Sequence, residues 1–72
     1  MTLDEAVRIE DALDSMKAGI TRKEHVACVK PEFQGKETVA WYDAEQFVKQ
    51  YGTIRWALNS ISVIIRRESA AA

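Results

Sequence analysis

His25 and Cys28 are the only histidine and the only cysteine in the chain, and they stand three positions apart. A cysteine nucleophile needs its base within hydrogen-bond reach, and both residue types are zinc ligands. The segment from His25 to Val29 is short, apolar and rich in β-branched residues, so it reads as a strand. An offset of three on a strand sends the two side chains to opposite faces, which excludes a dyad; on a helix they would share a face. A zinc site would need two further nitrogen or sulfur ligands. Only carboxylates or a symmetry mate could supply them. Cys28 is therefore expected as a small buried residue.

Other chemistries fare no better. Asp4, Asp11 and Asp14 could form a catalytic carboxylate pair, but an acidic helix face of this kind reads as solvated surface. Glycine occurs only at positions 19, 35 and 52, so no glycine-rich phosphate loop exists. The histidine has no convincing serine or carboxylate context for a triad. The chain reads as a non-enzyme without cofactor or metal.

Aromatic residues carry more information. Trp56 lies off the apolar stripe Ile54–Leu58–Ile61–Ile65, and Val63 follows it seven residues later on the same side. Such a side chain either covers the edge of the core or belongs to a second apolar seam meant for another chain, since tryptophan, tyrosine and arginine dominate interface hot spots. Trp41 and Tyr42 alternate on the proposed hairpin, so at least one must look away from the core. The candidate partner-binding residues are Trp56, Val63, Arg55, Arg66, Arg67 and Tyr42.

The elements expected to position them begin with a helix over 2–18. Thr2 and Glu5 have capping-box spacing, and Ala6, Ile9, Leu13, Met16 and Ile20 draw one stripe. Gly19 is placed to end this helix in a left-handed conformation. A hairpin over 25–42 follows, turning through "PEFQGK" with Pro31 closing the first strand and Gly35 free to take a positive φ. Asp43 and Gln46 repeat the capping spacing and open a helix over 44–51 that breaks at Gly52. Thr53 caps a last helix over 53–67, with Arg66 and Arg67 at its C-terminus and a frayed tail over 69–72. A strand–turn–strand with Asn59-Ser60 at the corner also fits the composition, but six apolar positions match one helix face and Asn-Ser is a poor two-residue turn. The fold class is thus α+β: one small domain, residues 1–72, arranged α-β-β-α with a broken C-terminal helix pair.

Composition bounds the rest. The 72 residues are 47% hydrophobic and 29% charged, the balance of a folded protein. A domain this short seldom gains more than ~3–5 kcal/mol from its core, so a dimer or larger partner is a natural way to bury more apolar surface. The net charge is −1, which gives no overall pull toward nucleic acid or anionic membrane. Residues 1–19 carry a net −3 and residues 44–72 a net +2, and the bland reading of that polarity pairs the two end helices. With a lone cysteine, an acidic first turn and no long apolar run, the chain reads as cytoplasmic and soluble, with no leader or membrane span.

A capped helix ending in "ALDSMKAG", a hairpin, and a helix opened by an acidic cap together resemble the small head-to-tail joining proteins of tailed phages. That resemblance implies an α-β-β-α module assembling in rings. "ETVAWYDAEQFVKQY" is similar to the wing strand and following helix of excisionase or MerR-type winged-helix domains. It implies a DNA-binding accessory role, with Arg22, Lys23 or the C-terminal arginines on phosphates, but the upstream helix-turn-helix is missing. The first expectation is a protein-binding adaptor or inhibitor of phage or mobile-element type, able to form a homodimer or larger homo-oligomer. A phage joining protein is second, and a DNA-binding protein third.

Overall fold

The computed structural model describes residues 1–28 and 35–71. Among them the elements are all helical: α1 (Leu3–Lys17), α2 (Arg22–Cys28), α3 (Glu37–Tyr51) and α4 (Ile54–Ala71). The α+β expectation is therefore wrong, and so is the hairpin over 25–42. Both segments expected as strands, His25–Cys28 and Thr38–Tyr42, lie in helices. The α-β-β-α order that carried the joining-protein resemblance is not the order of the described elements. Pro31 and the strand end at Val29 lie outside the described residues.

The helical periods explain the correction. In the second segment Trp41, Ala44 and Val48 follow steps of three and four, as do Ala40, Ala44, Phe47 and Tyr51. One amphipathic stripe thus runs through the whole of α3. Val39, which alternation pairs with Trp41 on one face, is instead 61% exposed while Trp41 is buried. β-propensity reports fit to a half-buried surface and yields to packing. Asp43 consequently opens nothing; it sits in mid-helix, and α3 begins after Lys36 without a side-chain cap.

In the first segment the missed signal is a capping box. The Thr21 hydroxyl accepts from the Glu24 amide at 3.3 Å, and the Thr21 amide donates to Glu24 Oε1 at 3.2 Å. The same reciprocal arrangement between Thr2 and Glu5 opens α1, as the spacing indicates. Left-handed Gly52, at φ 88°, ends α3 by donating its amide to the Val48 carbonyl. Thr53 then accepts from the Trp56 amide at 3.1 Å and starts α4. That helix runs on to Ala71, so the tail expected to fray is helical through 71, and Arg66 and Arg67 do not lie in its last turn.

The core joins α1, α3 and α4. Ala6, Ile9, Ala12 and Leu13 of α1 meet Trp41 and Ala44 of α3 and Ala57 and Ile61 of α4. Four of these eight are alanines with no exposed surface, so the helix backbones approach closely. Met16, Phe47, Val48, Leu58, Ile64 and Ile65 pack around them, partly buried. Lys17 near Ile54 and Leu58, with Glu10 beside Ser62, sets α1 and α4 antiparallel. α2 contacts chiefly α3. The Cα envelope is 33 × 28 × 16 Å.

Candidate interaction surface

Five of the six sequence-predicted partner-binding residues share α4, and Tyr42 stands apart on α3. On α4 the inward face is set by Ala57 and Ile61, both without exposed surface. Successive helical positions turn by about 100°. Trp56 therefore points well off that face, and Val63, two turns on, returns to the same side with Arg67 one turn beyond. The exposures agree: Trp56 is 61% exposed, Val63 is half-buried, and Arg55, Arg66 and Arg67 are exposed. Tyr42 is 60% exposed beside the buried Trp41, so one of the two aromatics does look away from the core, for a helical reason.

Among the described residues no acidic side chain forms an ion pair with the arginines of this surface. The ion pair among the described residues is Arg8 with Asp4, one turn apart on α1. The expected pairing of acidic α1 with basic α4 does not occur there. The polar contact between those helices is instead neutral to charged, with the Ser62 hydroxyl donating to Glu10 Oε2 at 3.5 Å. The capping hydroxyls of Thr2 and Thr21 hold the carboxyls of Glu5 and Glu24 below their ordinary values.

The histidine has a setting the sequence did not reveal. His25 is 4% exposed, its Nδ1 lies 2.7 Å from the Ser15 hydroxyl, and its ring centroid is 5.3 Å from that of Trp41. A serine context thus exists, contrary to the sequence reading, brought together from two helices that spacing alone does not bring together. Its geometry is that of a hinge pin: the ring fastens α2 to α1 by a hydrogen bond and to α3 by packing. Cys28, expected to be buried, is exposed at the end of α2. Among the described residues no three histidine, cysteine or acidic side chains gather where they could hold a metal ion. Nor, among them, is any helix long and apolar enough to cross a membrane.

Comparison with protein-family models, with curated proteins and with solved structures returns no match for this chain.

Proposed function

We propose that this chain is a small non-enzymatic protein-interaction module, an adaptor or inhibitor, that docks the outward face of α4 on a partner protein and can self-associate through it. The observation that supports the reading is Trp56, 61% exposed on a well-formed helix. Covering a large apolar side chain contributes roughly 1.5–3 kcal/mol, and tryptophan flanked by arginine is the composition of interface hot spots. Val63 extends the apolar seam, and Arg55, Arg66 and Arg67 flank it.

Sedimentation across a concentration series, with Trp56→Ala and Val63→Ser beside the parent chain, tests this. The parent should form a defined oligomer or a stoichiometric complex with its partner. Both variants should keep the parent's helical circular dichroism and thermal midpoint while losing that assembly. Unfolding of Trp56→Ala, or assembly unchanged by it, removes the reading. Ring-sized oligomers would favour a joining role over an adaptor.

A further inference from the structure

Apart from the outward face of α4, an apolar trench crosses the corner where α1 ends and α3 turns into α4. Its first half, about 320 Å³, is lined by Met16, Trp41, Glu45, Val48, Lys49 and Ile54. The second, about 610 Å³, is lined by Lys17, Ile54, Arg55, Leu58 and Asn59. Ile54 lines both, so the two hollows adjoin along that side chain. Trp41 and Glu45 carry it onward into a third hollow of about 330 Å³ beside Tyr42 and Arg22.

The floor is apolar and the rim is cationic. Lys17, Lys49 and Arg55 border the first two hollows, against Glu45 alone among the acidic side chains lining them. This is a concentration of positive charge in a chain whose net charge is −1. None of the three makes an ion pair among the described residues. Lys17 and Lys49 lie in the last turns of α1 and α3, where helix polarity favours a cation. Arg55 does not have that excuse. It stands in the first turn of α4, the positive end of that helix, and no acidic residue accompanies it there. A guanidinium in that position is disfavoured within the monomer and becomes favourable when an external carboxylate meets it.

We infer that this trench docks an acidic amphipathic segment of another protein. The segment's apolar side chains lie on Met16, Val48, Ile54 and Leu58, and its carboxylates face Lys17, Lys49 and Arg55. The inference is independent of Trp56, which lines none of the three hollows.

The test titrates ¹⁵N-labelled protein with two synthetic amphipathic helical peptides, one leucine/glutamate and one leucine/lysine, with a serine/glutamate peptide that lacks an apolar face, and separately with a mixed-sequence DNA duplex. The leucine/glutamate peptide should bind and shift the amides of Met16, Val48, Lys49 and Ile54, while the other two peptides bind far more weakly. Lys17→Glu with Lys49→Glu should weaken it by about tenfold or more with circular dichroism unchanged, and Lys17→Arg with Lys49→Arg should retain it. Equal binding of the leucine/lysine peptide, no shift at those four amides, or preference for the duplex would each overturn the proposal. So would concentration-dependent self-association that protects the same residues, since the occupant would then be a second copy. Shifts confined to the Trp56 face would overturn this inference and leave the α4 reading standing.

Discussion

At the scale of single residues, the buried His25 ring is held from two other helices, by the Ser15 hydroxyl 2.7 Å from Nδ1 and by the Trp41 ring at a centroid distance of 5.3 Å. Trp56 stood off a well-defined stripe, and the helix it rides on made that offset an exposed side chain. His25 gave no such sign, because its partners Ser15 and Trp41 come from other helices and only tertiary packing joins them. The pairing has a measurable consequence. Replacing Ser15 by Ala removes the hydroxyl that Nδ1 meets and leaves a buried ring nitrogen to be desolvated without it, at a cost of about 1–3 kcal/mol. Urea unfolding of Ser15→Ala should show a midpoint lowered accordingly with the slope unchanged. A midpoint equal to the parent's would mean that the hydroxyl contributes nothing to holding α2.

The element scale is where the strand reading failed, and the reason is specific. Both misread segments are short, the first with Val26 and Val29 and the second with Val39 beside Trp41 and Tyr42, and over four or five residues alternation and a helical stripe select overlapping positions. The decisive signals were longer or terminal: the stripe from Ala40 to Tyr51, and the Thr21–Glu24 box that repeats the one correctly read at Thr2–Glu5. At seven residues, α2 is far shorter than the ~12–15 that make an isolated helix even marginal in water, so its cap and the His25 contact must hold it. Acid tests this. Glu5 and Glu24 have folded-state values lowered chiefly by the threonine hydroxyls. Their contribution is therefore complete above the ordinary glutamate value and is lost as pH falls through the lowered one. The protection factor of the Glu24 amide, its exchange rate corrected for the intrinsic pH dependence, should fall over that acidic window, and Glu24→Gln, which keeps an acceptor without a charge, should flatten that dependence. A protection factor in the parent chain that does not change with pH across the window would show that the box does not form in solution.

For the whole molecule, the governing fact is how little is fully enclosed. The α1 and α4 stripes and the two glycine stops were legible because each is written in local periodicity or backbone freedom, whereas the helix order was not, since α2 and the first part of α3 read as strands. The thin layered packing was not, since it depends on four buried alanines whose role is to let other helices close in. Among the described residues Leu13 and Ile61 are the largest side chains entirely shut away from solvent, so each supports a large share of a small total. Truncating a buried leucine costs about 2–5 kcal/mol, comparable with the ~3–5 kcal/mol that a chain of this length commands. Leu13→Ala should therefore be largely unfolded at room temperature by circular dichroism, whereas Ile61→Val, at about 0.5–1.5 kcal/mol, should stay folded with a lower melting point. Anything that binds only the native state restores stability in proportion to the logarithm of its excess over its dissociation constant. A ligand covering Trp56 or the trench should accordingly raise the melting point of Ile61→Val and refold part of the Leu13→Ala population. A cooperative, fully folded Leu13→Ala without any ligand would mean that the molecule shelters more apolar surface than its described core accounts for, and would remove the physical need for a partner.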